Sequence, residues 1–191
     1  MDDLSSRVDK YNDTKKSNWP KLVYDQNWMY GVWYCSRSFQ KQKYYGQYPL
    51  TYLTRIRLLF GDIKPLVHLF SGAMISVEGE ITVDNDRALN PTYCCEADNL
   101  PFESNSIGCI VADPPYSTED AKKYTCRKYP KMSSVFKECS RVLKVGGYLV
   151  FLHTHLLQVS KSNNLHLRGT IGILTGTNAK TRLCAIYRKE V

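Results

Sequence analysis

The sequence predicts an α/β fold, an open and mostly parallel sheet that ends in a C-terminal antiparallel hairpin. Three observations predict it. Four short, largely apolar runs, Leu66-Val67-His68-Leu69-Phe70, Glu80-Ile81-Thr82-Val83, Ile107 to Ala112 and Tyr148 to Leu152, have strand length, and strands buried on both faces of a parallel sheet read this way. Between the last two runs, Met132, Val135, Phe136, Cys139, Val142 and Leu143 fall on one helical face, with Gly146-Gly147 as the stop. The tail holds two β-like stretches, roughly 165–174 and 181–188, around a turn at Gly176-Thr177-Asn178-Ala179.

In chain order, residues 1–18 are polar and charged and read as a loose arm or a short helix. The stretch 19–48 is rich in rings, with Trp19, Tyr24, Trp28, Tyr30, Trp33, Tyr34, Phe39, Tyr44, Tyr45 and Tyr48 among Lys15, Lys16, Lys21, Arg37, Lys41 and Lys43. Rings among basic residues suit base stacking and phosphate contact, although most of these rings are expected to extend the core. The expected organisation is an N-terminal arm and aromatic segment over 1–48 and a main domain over 49–191. Pro49 suits a helix start. Leu53, Ile56, Leu59 and Phe60 then follow at helical spacing, Gly61 closes the helix, and Asp62-Ile63-Lys64-Pro65 makes the turn into the first strand. The gap from 72 to 80 is too short for a full crossover helix, so that connection is abbreviated.

At 191 residues the chain suits one domain with a sizeable core. Its formal net charge of +8 is compatible with polyanionic partners such as nucleic acid and equally with an ordinary basic protein. The seven cysteines include no Cys-x-x-Cys pair, and no His pair has zinc-ligand spacing. A reducing compartment and no structural metal are expected. The polar start is unlike a signal peptide and no apolar run approaches membrane-spanning length, so the expectation is cytoplasmic, with no membrane partner.

Asp113-Pro114-Pro115-Tyr116 directly follows an apolar strand. An aromatic exocyclic amine is a poor nucleophile because its lone pair is delocalised. Acceptors on its hydrogens localise that pair: the Asp113 carboxylate is one and the Pro114 carbonyl, framed by two prolines, is another. Tyr116 offers a flat face to a base lifted from its stack. In α/β sheets, ligands bind beyond the carboxyl ends of strands, where Ser71-Gly72, Asp84 and Asp113 all lie.

Asp113-Pro114-Pro115-Tyr116 resembles the catalytic motif of amino-group methyltransferases acting on adenine or cytosine. His68-Leu69-Phe70-Ser71-Gly72 is similar to that family's first cofactor motif and Asp84 to the acid ending its second strand. Ala97-Asp98-Asn99-Leu100-Pro101-Phe102 is similar to the segment bordering the cofactor adenine, and Arg141-Val142-Leu143-Lys144-Val145-Gly146-Gly147 to the helix-to-strand turn of the class I fold. Tyr44-Tyr45-Gly46-Gln47-Tyr48-Pro49 resembles the element before the first motif. The resemblance spans roughly 44–188 and is closest to short, phage-type DNA methyltransferases.

It implies a Rossmann-like class I methyltransferase sheet and S-adenosyl-L-methionine as cofactor. His68, Leu69, Phe70, Ser71 and Gly72 would surround its methionine end, Asp84 with Asn85 its ribose, and Asp98, Asn99 and Leu100 its adenine, sandwiched by Leu100 and Phe102. Asp113, Pro114, Pro115 and Tyr116 would be catalytic. Lys41 and Lys43, with Lys122 and Lys123 after the motif, would contact a nucleic acid, DNA by the resemblance. The implied reaction is methylation of a base amine, adenine N6 foremost. Methylation of an RNA base or a protein glutamine, and a silent partner subunit, are the alternatives. Two features depart from the family: Gly72-Ala73-Met74 stands where Gly-x-Gly is usual, and no stretch is long enough for a target-recognition domain, so a protein partner or a second copy is a candidate for that role. Asp86 competes with Asp84 for the ribose. His153 and His155 follow the fourth strand, and the chemistry requires no imidazole base from them. The chain has no Gly-x-Gly-x-x-Gly turn of nicotinamide enzymes.

Overall fold

Every residue of the run 107–112 is buried, which an amphipathic surface strand would not show. It is a central strand of the sheet in the computed structural model, which describes residues 4–14, 19–35, 48–75, 77–123 (123 in backbone only), 129–176 and 181–191. The expected turn at 177–179 and the segment 36–47 lie outside the described residues. The elements are α1 (Leu4–Asn12), β1 (Val23–Asp25), β2 (Trp28–Tyr34), α2 (Tyr52–Phe60), β3 (Leu66–Leu69), β4 (Glu80–Asp84), β5 (Tyr93–Cys94), β6 (Ile107–Ala112), α3 (Thr118–Lys123), α4 (Met132–Val142), β7 (Leu143–His153), β8 (Leu165–Leu174) and β9 (Arg182–Lys189).

Among the described residues these strands form one sheet in the order β1-β2-β8-β9-β7-β6-β3-β4-β5. Strands β2 to β8 all run the same way, because β2 pairs parallel with β8, and β9 is antiparallel to both β7 and β8. From β3 the chain steps outward through β4 to β5, then returns to β6 on the other side of β3. That reversal opens a crevice at the carboxyl ends of β3 and β6, the place where such sheets hold ligands. No described helix lies between β3 and β4, as the short gap requires.

Each sheet face carries its own core. On one, α1 and α2 pack through Leu4, Val8, Tyr11, Ile56, Leu59 and Phe60 onto Leu66, Val111, Val150 and Ile186. On the other, Val135, Phe136, Cys139 and Val142 of α4 cover Val67, Leu69, Ile110, Leu149 and Phe151. The alternation of β3 explains the split: Leu66 and His68 face one layer, Val67 and Leu69 the other.

Of the segment 1–48, the described residues 4–14 and 19–35 pack against this sheet and extend it. Val8 and Tyr11 bury one stripe of α1, and Arg7 clips it to α2 through hydrogen bonds to the Leu59 carbonyl (2.6 Å) and Asp62 (2.8 Å). Strand β2 extends the sheet beside β8, where Gly169 admits the close approach: a Cβ there would lie 2.5 Å from the Met29 carbonyl oxygen. Trp33 is fully buried between Tyr11 (5.7 Å) and Tyr52 (6.1 Å), and the Arg55 guanidinium sits over both Trp19 (4.6 Å) and Trp33 (5.5 Å). These rings serve the core, whereas Tyr30 and Tyr34 are exposed.

One correction concerns Gly146-Gly147. The helix α4 ends at Val142 and β7 begins at once with Leu143, which pairs with Ile107, so the glycines lie inside the strand at a register shift. Gly146 takes φ +84°, and a Cβ on Gly147 would come within 2.8 Å of the Gly108 carbonyl oxygen. Both backbones need glycine to pass through this bulge.

Candidate active site

Beyond β3 the chain turns sharply. Phe70 has φ +57° and Gly72 φ +56°, and the first is a conformation that a bulky residue adopts only under constraint. The bend turns the Gly72 N–H onto the Asp84 Oδ2 at 2.9 Å, while the Asp86 N–H donates to Oδ1 at 3.0 Å. Burial raises the Asp84 carboxyl above its ordinary value, against these N–H donors. Asp86 takes a different job: its side chain accepts from the Ala88 N–H (2.9 Å) and caps a short 3-10 turn, Arg87–Leu89. Of the two acids, Asp84 lines the crevice and Asp86 caps the turn beside it.

Asp84 lines a shallow, solvent-open cleft with Phe70, Val83, Asn85, Cys95, Glu96, Ala97 and Pro130. Asn85 Nδ2 donates to both Glu96 oxygens (3.2 and 3.3 Å). Glu96 is the residue the sequence reading missed. Asp98 and Asn99, assigned to the cofactor adenine, are exposed and do not line the cleft. Leu100 is core: its N–H is held by Glu138 Oε1 (2.8 Å), which Arg141 holds in turn (2.7 Å). Phe102 packs edge-on against Tyr93 at 5.3 Å. The reason is the turn after β5, where the Asn99 N–H closes on the Glu96 carbonyl (3.1 Å) and carries 98–100 away from the crevice. An acid directly preceding Ala97 was the available signal.

His68 and Leu69 also stand apart from the cleft. Leu69 is buried under α4. His68 is buried on the opposite face, 3.1 Å from Glu80, which receives a two-point bond from Arg57 (2.7 Å each). Burial alone would raise Glu80, but the Arg57 and His68 hydrogen bonds prevail and hold it at about 2. This triad joins α2, β3 and β4 and so fixes the strand that delivers Phe70. Ser71, buried, completes the bend with its N–H on the Val83 carbonyl (3.1 Å).

At the end of β6, the Asp113 N–H reaches the Leu69 carbonyl at 3.5 Å, so Asp113-Pro114-Pro115-Tyr116 adjoins the bend at Phe70–Gly72. Pro114 and Pro115 are buried. The Tyr116 hydroxyl donates to Asp113 Oδ1 at 2.6 Å. Its ring meets His153 edge-to-face at 5.2 Å, and the Arg182 guanidinium lies 5.4 Å from the ring centre. Burial raises the Asp113 carboxyl to about 6, opposed by Arg182 and the Tyr116 hydroxyl. Ser117 starts α3, its Oγ accepting from the Asp120 N–H (3.1 Å). Of the expected phosphate contacts, Lys122 is exposed on α3, and Lys41, Lys43 and the Lys123 side chain lie outside the described residues.

The described residues include no cluster of His, Cys, Asp and Glu able to hold a metal ion, and no described helix is long and apolar enough to cross a membrane. No protein-family model and no curated protein matches the chain. Solved structures do. The chain is similar to the N-methyltransferase NodS from Bradyrhizobium japonicum, at 14% identity over 74% of this chain and 94% of that one, with a TM-score of 0.50. It is also similar to S-adenosylmethionine-dependent methyltransferases from Methanosarcina mazei (14% identity, 66% and 92%, TM-score 0.45) and Aquifex aeolicus (11%, 65% and 81%, TM-score 0.44). The likeness to NodS is one of fold: this chain has the Rossmann-like methyltransferase fold.

Proposed function

We propose that the protein is an S-adenosyl-L-methionine-dependent N-methyltransferase acting on an exocyclic amine of a nucleic-acid base, adenine N6 in DNA. One observation carries the reading: Asp113-Pro114-Pro115-Tyr116 ends the strand adjoining a cleft that presents Asp84 and Glu96. The cleft suits the cofactor. Asp84 has acceptors for ribose hydroxyls, Glu96 an acceptor for the adenine amine, and Phe70, Val83 and Pro130 apolar walls. When bound, the cofactor supplies an electrophilic methyl group. One N–H of the substrate amine donates a hydrogen bond to the Asp113 carboxylate and the other to the Pro114 carbonyl, which localises the lone pair and stabilises the positive charge that develops on nitrogen; once methylated, the nitrogen releases one proton to Asp113. The Tyr116 hydroxyl, now on Asp113, gives up that place to the amine, and its ring stays as the stacking face. The basic balance of the chain supports a polyanionic substrate. Lys41 and Lys43, with Lys122 and Lys123, belong to its phosphate contacts, and a protein partner or second copy supplies target recognition.

The test is methyl transfer from labelled cofactor to DNA, RNA and protein in parallel, followed by nucleoside analysis. Label in N6-methyladenine from DNA is expected. Label on a cytosine carbon would overturn the scheme, since that chemistry needs a cysteine nucleophile. Label in RNA or on glutamine would replace the substrate and keep the site.

A further inference from the structure

We infer that His153 is a specificity-determining residue, whose Nε2–H donates to a hydrogen-bond acceptor in the substrate ring beside the amine that Asp113 holds. The inference rests on the N-methyltransferase reading above and deepens it. His153 is the last residue of β7, between the strand that ends at Asp113 and the start of β9 at Arg182. It is 2% exposed. Its Nδ1 accepts the His155 N–H (3.4 Å), which leaves the proton of a neutral imidazole on Nε2. That Nε2 has no hydrogen-bond partner among the described residues. Burial and the neighbouring His155 lower the ring to about 4, so it stays neutral near pH 7.

A buried N–H without a partner is costly, and in a native structure it marks a strained or functional place. Here the imidazole that carries the donor meets the Tyr116 ring edge-to-face at 5.2 Å, the same ring whose hydroxyl covers Asp113. A substrate amine that replaces the Tyr116 hydroxyl on Asp113 therefore meets an acceptor there, with the unpartnered His153 donor one ring away. The complementary edge is an amine next to an unprotonated ring nitrogen, as adenine and cytosine present it. The Watson–Crick edge of guanine, with its amine beside N1–H, sets donor against donor, and only its N3 side would offer an acceptor.

The experiment uses the full chain, labelled cofactor and two DNA oligonucleotides, one carrying adenine and one 1-deazaadenine at the methylated position. The wild type should methylate the deaza substrate with kcat/KM about 10- to 100-fold lower, the effect of leaving a buried donor unpaired. His153→Phe should lose that much on adenine and treat both substrates alike, whereas His153→Gln, which keeps an N–H donor, should restore discrimination. Cofactor affinity should be unchanged in both variants. A wild type indifferent to the substitution overturns the inference without need of any variant, as does discrimination retained in His153→Phe. If the wild type methylates no polymer at all, the N-methyltransferase reading itself falls and this inference with it.

Discussion

Asp113 is asked to be a carboxylate, and its surroundings make that ionisation costly. Its pKa of about 6, against an ordinary 3.8, means that roughly nine-tenths of the enzyme carries the charge at pH 7 and roughly one-tenth at pH 5. The kcat/KM for methyl transfer should therefore fall about 10-fold between those pH values, on a one-proton limb. A carboxyl at its ordinary value would leave the profile almost flat. His153, at about 4, does not titrate in that window. Tyr116→Phe removes a hydrogen bond that favours the charged form, so the limb should move to higher pH. Stability runs the other way. The folded pKa lies above the unfolded one, so stability is fully present below about 3.8 and declines as pH rises towards 6. The loss is about 3 kcal/mol at most, at about 1.4 kcal/mol per pKa unit. Asp113→Asn should accordingly be no less stable than the wild type at pH 7, in urea melts, while losing roughly 100-fold or more in rate. A flat profile from pH 7 to 5, or an Asp113→Asn variant with wild-type rate, would refute the reasoning.

The cofactor assignment separates three acids by calorimetry: Asp84→Ala and Glu96→Ala should each weaken S-adenosyl-L-methionine binding by about 1–3 kcal/mol, and Asp98→Ala should leave it unchanged. Glu80, depressed from 4.5 to about 2, contributes stability above about 4.5 that is lost as pH falls towards 2. Glu80→Gln should cost about 3 kcal/mol at pH 7 in denaturant titrations and little at pH 2. Gly169→Ala drives a methyl into the Met29 carbonyl and should lower the single unfolding midpoint by about 1–3 kcal/mol. A separate early transition of residues 4–35 would show that the N-terminal strands are not part of the cooperative unit.

The sheet was legible because burial on both faces leaves an unmistakable mark: Ile107 to Ala112 has no polar residue, and the α4 stripe repeats at helical spacing. The tail strands matched within a residue or two, since their alternation is that of a sheet with two different faces. The N-terminal strands were not legible, because what makes Trp33 a core residue is its partner strand β8, far along the chain, and ring content alone reads equally as a stacking surface. In the site, residues set by one strand end were readable: Phe70, Gly72, Asp84, Asp113. Those set by a turn were not. Whether Glu96 or Asp98 enters the cleft depends on the direction the chain leaves β5, which composition does not encode. The Arg57–His68–Glu80 triad escaped notice for the same reason, since it spans three elements.

The register of β2 on β8 has a consequence for biosynthesis. Met29 pairs with Gly169, some 140 residues later. At about 5–20 residues per second on the ribosome, β2 waits roughly 7–30 s for its partner strand to be made. During that interval Trp33, Tyr11 and Met29, all fully or nearly fully buried at the end, have no sheet to cover them. The nascent segment that carries these side chains is thus a ready client for a holding chaperone, and a strand translated before β8 and β9 waits for both to find its place.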